Sequence, residues 1–244
     1  MLDCFYWVTT IVGYTTQDVS GEGSVYNIAG FCFANVGLDG QAKLSDFAAT
    51  GWDWESDELR ILNPATCASA QRLIWLTKAE AVEFEVGTDA GWYDSDSVEY
   101  QGNKSFDLGS GFMTSLSSKG VSFQYSGQVY TSAFSIPCAN KVYVIIPNAL
   151  PRKITLSEIT ATGWDWESDE LRILNPATCA SAQRLIWLTK AEAVEFEVGT
   201  DAGWYDSDTV EYQGAKEVNP GDGFMTSLSS TAVTISMPAL DPAE

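Results

Sequence analysis

Apolar and polar residues alternate along much of the chain, and this alternation predicts strands. Val121, Phe123 and Tyr125 interleave with polar neighbours in "VSFQYSG", and Val233, Ile235 and Met237 do the same in "VTISM". Val82, Phe84 and Val86 alternate with Glu83 and Glu85, the period-2 pattern of a strand with one buried face. "LRIL" and "RLIWLT" are short apolar runs bounded by Asn, Pro and Gly, and they also read as strands. Turn signals recur in "NVGLDGQ", "LNPAT", "VGTDAGW", "DLGSG" and "NPGDG". The single helical candidate is "PATCASAQRL", where Pro64 suits a first helical turn. It is too short to organise a helical fold.

A repeat frames these elements. Residues 49–102 recur at 161–214 with one change, Ser97 becoming Thr209. The likeness continues from "GSGFMTSLSSKGVSF" at Gly109 to "GDGFMTSLSSTAVTI" at Gly221, and from "LSDFAAT" at Leu44 to "LSEITAT" at Leu156. At this constant offset no gap is needed, which gives β-repeats over 21–132 and 133–244. Core, surface and loop letters are copied alike, so recent duplication explains the block and the copying alone marks no site. Residues 1–20 remain as an N-terminal strand segment: "FYWVTTIVGYT" at Phe5 resembles the last strand of a unit. Many short strands per unit, separated by regular turns, predict an all-β chain of two tandem β-sandwich or small β-barrel domains. No flexible Pro/Gly/Ser linker separates the units, so a stiff tandem is expected.

Composition narrows the chemistry. Of 244 residues, 45% are apolar and 19% charged, enough to build a core. The net charge of −20 repels polyanions, so nucleic acid is not an expected partner. The chain has no histidine, which removes Ser-His-Asp and Cys-His devices and imidazole metal sites. No stretch approaches the roughly 18 apolar residues of a membrane helix, so no membrane span is expected. The first residues are apolar but contain Asp3 and no basic residue, which is not a signal-peptide pattern. The chain is therefore either cytoplasmic or a mature form without its leader.

Three constellations are candidates for function. Trp52, Trp54 and Trp92, with their copies Trp164, Trp166 and Trp204, lie beside carboxylates and suggest sugar-binding platforms; the alternative is that they fill the core. Asp53, Glu55, Asp57, Asp94 and Asp96, with Asp165, Glu167, Asp169, Asp206 and Asp208, would supply calcium if their loops met, and calcium is the one cofactor they suggest. Solvated acidic turns are the competing account. A glycosidase pair needs a set carboxylate spacing and a buried acid, and these wet loops favour neither, so no catalytic residue is assigned. Cys32, Cys67, Cys138 and Cys179 allow one disulfide per repeat, Cys32–Cys67 and Cys138–Cys179, or buried free thiols. That leaves Cys4, which lies on the leading strand with Phe5, Trp7 and Ile11.

The segments "IVGYTT", "YNIAGFCFANVG" and "LSD", then "GWYDSD", then "PGDGFMTSLSS" and "AVTISMPA", resemble the β-rich repeats of secreted and cell-surface proteins from planctomycete- and verrucomicrobia-like bacteria. The likeness covers nearly the whole chain through short motifs. It implies an extracellular or cell-surface location and transfers no activity. Two functions are then expected. One is a non-catalytic structural protein whose units join end to end into a homo-oligomer or filament, with Cys4, Phe5, Trp7 and Ile11 at the contact. The other is a carbohydrate-binding or adhesive module.

Overall fold

A computed structural model describes residues 12–19, 26–35, 41–175 and 177–240. The protein is all-β. Unit 1 contains β1 (Val12–Asp18), β2 (Tyr26–Gly30), β3 (Gln41–Lys43), β4 (Phe47–Thr50), β5 (Glu58–Leu62), β6 (Ser69–Leu76), α1 (Lys78–Glu83), β7 (Gly91–Asp94), β8 (Ser105–Asp107), β9 (Gly111–Ser115) and β10 (Ser122–Gln128). Unit 2 repeats the order as β11 (Phe134–Pro137), β12 (Ile145–Pro147), β13 (Ile154–Thr155), β14 (Thr160–Thr162), β15 (Glu170–Leu174), β16 (Ser181–Leu188), α2 (Lys190–Glu195), β17 (Gly203–Asp206), β18 (Glu217–Val218), β19 (Gly223–Ser227) and β20 (Thr234–Met237).

Each unit is a sandwich of antiparallel sheets. In unit 1 a five-stranded sheet, β2-β9-β5-β6-β7, faces a three-stranded sheet, β1-β10-β4. Unit 2 has the same pair, β12-β19-β15-β16-β17 and β11-β20-β14. Alternation puts Leu59, Leu73, Trp92 and Phe112 of one sheet against Phe47, Phe123 and Tyr125 of the other. Phe47 lies at the centre, with ring centroids 4.9–5.6 Å from Trp92, Phe112, Phe123 and Tyr125. Such aromatic contacts add to the burial that holds the sheets together.

Two local expectations are corrected. The alternation around Val82 and Phe84 is not a strand. Thr77 Oγ1 accepts from the Glu80 amide at 3.3 Å and the Glu80 carboxylate accepts from the Thr77 amide at 2.7 Å. This reciprocal cap starts α1. The helix buries Ala81, while Val82 and, just past its end, Phe84 stay outside, 53% and 37% exposed. The predicted helix "PATCASAQRL" is a turn that feeds β6. Asn63 Oδ1 accepts from the Ala65 amide, the Asn63 carbonyl accepts from Cys67, and Cys67 adopts a left-handed backbone (φ 58°).

The pairing registers also correct the constant offset. Asp18 pairs with Ser122 and Pro137 pairs with Thr234, so the first strands of the two units lie 119 positions apart. The second strands, aligned at Ile28 and Ile145, lie 117 apart. From β3 and β13 onward the offset is 112. The matched block hides these length differences because they fall in loops before it. Within the leading segment, Cys4, Phe5, Trp7 and Ile11 lie outside the described residues. Val12–Thr15, the end of the quoted stretch, open β1, which pairs with β10 along all seven residues, the role β11 plays beside β20.

The predicted disulfides are absent among the described residues. Cys32, Cys67, Cys138 and Cys179 are free thiols. Cys32 and Cys138 are fully buried in the cores of units 1 and 2, whereas Cys67 and Cys179 sit where the units meet. Burial raises the Cys32 and Cys138 thiols to about 12 and about 11.

The units meet about a pseudo-two-fold axis. Cys67 touches Met225, and its copy Cys179 touches Met113, the copy of Met225. Gly109 is covered by Ile136 of β11, and its copy Gly221 is covered by Gln17, the matching residue of β1. Gly30 and Pro147 hold matching strand positions and touch each other, as residues near such an axis must. Ile28, Ile145 and Met225 form the apolar centre of this contact.

Candidate functional site

The opposite half of each five-stranded sheet carries an open basin built by the duplicated block. Its wall begins in the loop "GWDWESD". Asp57 is fully buried there, which is tolerable because backbone amides surround its carboxylate. Oδ2 accepts from the Asp53 amide at 2.9 Å, and Oδ1 accepts from the Ser117 and Ser118 amides at 2.7 and 2.9 Å. Asp53 in turn accepts from the Glu55 amide and the Ser56 hydroxyl, both at 3.0 Å. The turn that starts at Asp53 sends the two Trp side chains to different places. Trp52 packs edge-on against Trp92 in the core, and Trp54 packs against Phe84 just after α1.

The floor comes from β5 and β6. Arg60 and Arg72 are direct cross-strand partners, an arrangement that like charges disfavour unless neutralised. Glu58 lies between them, 2.9 Å from Arg60 and 3.2 Å from Arg72. Asp96 reaches Arg72 at 2.5 Å and raises the guanidinium pKa, the hydrogen bond being the larger cause. Trp54, Glu55 and Ser56 complete one wall and Ser95 and Ser115 the other, around a cleft of about 500 Å³. The second basin, of about 430 Å³, has Trp166, Glu167, Ser168, Glu170, Arg184 and Ser207 in the matching places. Ser95 Oγ and Ser207 Oγ have no hydrogen-bond partner in the protein. Two guanidiniums against Glu58 and Asp96 leave the floor near neutral, rich in both donors and acceptors. Such a surface matches a polyhydroxylated ligand better than a strong anion or cation.

The sequence candidates separate accordingly. Trp54 and Trp166 line the basins together with Glu55 and Glu167. Trp92 and Trp204 have no exposed surface, and their indole N–H groups donate to the Phe47 and Ile159 carbonyls at 3.1 and 2.9 Å. They are core residues, which corrects their assignment as sugar platforms. Trp52 and Trp164 stand edge-on to these two residues, with centroids 5.1 Å apart in both units.

The proposed calcium ligands are not brought together. Asp94 Oδ1 accepts from the Asp96 and Ser97 amides and Oδ2 from Gln71, a bond that leads the lowering of its pKa. In unit 2 Asp206 binds Asp208, Thr209 and Gln183 in the same way. Asp96 and Asp208 pair with arginines, while Asp57 and Asp169 point at the β9–β10 and β19–β20 corners. Asp53 and Asp165 are engaged within their own turns. Among the described residues no three carboxylates or thiols group into a metal site.

Glu58, Arg60 and Arg72 were missed as site residues. The signal was present, since arginines inside "LRIL" and "QRLIWL" had to lie on the sheet face opposite the core. Which two would meet depended on the β5–β6 register. The chain matches no protein-family model, no curated protein and no solved structure. No helix of the described residues is long and apolar enough to cross a membrane.

Proposed function

We propose that the protein is a non-catalytic structural module of the cell exterior, in which two β-sandwich units act as one stiff body. The observation that carries this reading is the reciprocal unit–unit contact, in which Cys67–Met225 is answered by Cys179–Met113. A flexible tandem has no need of matched contacts on both sides of an axis. A non-catalytic role is supported by Asp53, Asp57, Asp94 and Asp96 and their copies, whose carboxylates are held by backbone amides, hydroxyls, Gln71 and Gln183, or arginines. The exterior location rests on the family resemblance. End-to-end assembly through the leading segment belongs to the same proposal. Light scattering on the full chain over a range of concentrations tests it: growth that is lost on deleting residues 1–11 is expected. A monomer at every concentration removes the assembly.

The paired basins favour a second role in sugar binding, because an aromatic wall stands beside a floor of mixed donors and acceptors. A glycan array should then give signals that fall in Trp54→Ala and vanish in Trp54→Ala/Trp166→Ala. A blank array for the unaltered chain removes this role.

A further inference from the structure

Each core has a lysine at its rim that is aimed at a carboxamide. Gln71 precedes Leu73 by two positions on β6, and Asp94 follows Trp92 by two on β7, so both lie on the core face of the sheet. Lys104 reaches them from the β7–β8 connection, and its Nζ donates to Gln71 Oε1. Gln71 Nε2 donates to Asp94 Oδ2 at 2.9 Å and to Gln101 Oε1 at 3.4 Å, which turns the amide oxygen toward the lysine. Unit 2 repeats every contact. Lys216 Nζ donates to Gln183 Oε1 at 2.7 Å, and Gln183 Nε2 donates to Asp206 at 2.8 Å and to Gln213 at 3.4 Å. The lysine is also singled out by comparing the units just past the copied block. Residues 103–108 read NKSFDL and residues 215–220 read AKEVNP, so five of six positions differ and only the lysine is kept. We propose that Lys104 and Gln71, and likewise Lys216 and Gln183, condense into intramolecular isopeptide crosslinks.

The reaction is an amide exchange and needs no oxidant or cofactor. The lysine Nζ, as a neutral amine, attacks the glutamine Cδ; the Nζ–Cδ bond forms, the Cδ–Nε2 bond breaks, and Nε2 leaves as ammonia. One proton passes from Nζ to Nε2, and Asp94 Oδ2, already 2.9 Å from Nε2, is placed to deliver it. In unit 2 the 2.7 Å contact and a carbonyl bond of about 1.23 Å put Gln183 Cδ no more than about 3.9 Å from Lys216 Nζ. Reaching an attack distance of roughly 3–3.5 Å then takes only a swing of the amine from the oxygen to the face of the carbonyl. Burial lowers the Lys104 pKa against the opposing charge of Asp94, which favours the neutral amine. The Phe106 ring, its centroid 5.5 Å from Nζ, covers one side of the amine. Escape of ammonia makes the step one-way, and it happens once per site, with no turnover on an outside substrate. The bond would tie β6 to the β7–β8 connection and close the loop that carries α1 and β7, removing freedom from the unfolded chain.

Intact-mass measurement of the full chain, fresh and after days at mildly alkaline pH, provides the test. Loss of one ammonia per unit, about 17 Da each, is expected. Tryptic digestion should also yield branched peptides that join the Gln71 fragment to the Lys104 fragment and the Gln183 fragment to the Lys216 fragment. Lys104→Arg keeps the charge without the amine and should halve the mass loss; Lys104→Arg/Lys216→Arg should abolish it. Circular dichroism would establish that both variants fold. The branched peptides identify the bond in the unaltered chain whether or not those variants fold. An unchanged mass after incubation, a loss of ammonia without branched peptides, or a loss that persists in the folded double variant would each overturn the crosslinks.

Discussion

The outer basins and the inner contact of this molecule both occur twice, yet they differ in how far their two copies have diverged. The basins share most of their lining between the two units, and the Glu58–Arg60 and Glu170–Arg172 distances are both 2.9 Å. The inner contact keeps its Cys–Met pairs, but its first strands have changed in chemistry. Opposite Phe123 stands Gln17, and opposite the matching Ile235 stands Ile136. Gln17 is buried and accepts from Tyr125 Oη at 2.9 Å while donating to Asp222 at 2.8 Å. Ile136 fills the equivalent place with hydrocarbon and lies over Gly109. One frame thus accepts a satisfied polar chain on one side of the axis and a packed apolar one on the other. Where backbone register fixes the position, side-chain chemistry is free to vary, provided every buried polar atom finds a partner.

The largest effect should come from the element the two units share without change. Asp57→Ala or Asp169→Ala leaves three amides unpaired, and each should cost about 3–5 kcal/mol. Chemical denaturation should give equal losses for the two; a difference above about 1 kcal/mol would mean that the units are not equivalent in energy.

The drifted position should separate them. Ile136→Ala opens a cavity at a cost of about 2–4 kcal/mol. Gln17→Leu should cost about 1–3 kcal/mol by stranding the Tyr125 hydroxyl. Adding Tyr125→Phe to Gln17→Leu should recover most of that loss, whereas Tyr125→Phe alone should not stabilise the chain. Denaturant midpoints of the three variants would decide whether the polar network or simple packing holds this side.

The smallest effect is in the pH response, and it belongs to unit 2. Hydrogen bonds from Arg152 hold the Glu158 carboxyl below its ordinary value of 4.5. A lowered carboxylate pKa adds stability above that ordinary value, and the contribution is lost as pH falls through the folded-state value. Both groups are partly exposed, so less than about 1 kcal/mol is expected. Melting temperatures from pH 6 down to about 3 should therefore fall less steeply in Arg152→Ala. An unchanged slope would remove Glu158 from the acid response.

The strands were legible wherever alternation coincided with burial. Val121–Tyr125 and Val233–Met237 face the cores as their pattern required, because one sheet face is dry and the other wet. The same pattern misled at Val82 and Phe84, where capping by Thr77 and Glu80 outweighed an alternation that leaves both side chains exposed. Trp54 was found by its company of carboxylates, yet Trp92 carried the same signature and belongs to the core. Composition cannot distinguish an aromatic that turns inward from one held outward by a turn. The sulfur pairs were invisible, since Cys67 and Met225 lie 158 positions apart and meet only once the two units have docked.

That docked arrangement also says something about origins. A contact in which each half offers the same patch to the other is the signature of a symmetric homodimer. Here both halves lie in one chain, which has the layout of two like subunits joined in tandem. Fusion makes the association intramolecular, so dilution cannot separate the halves. It also releases them from identity, so Gln17 and Ile136 can differ at matching positions of the two halves.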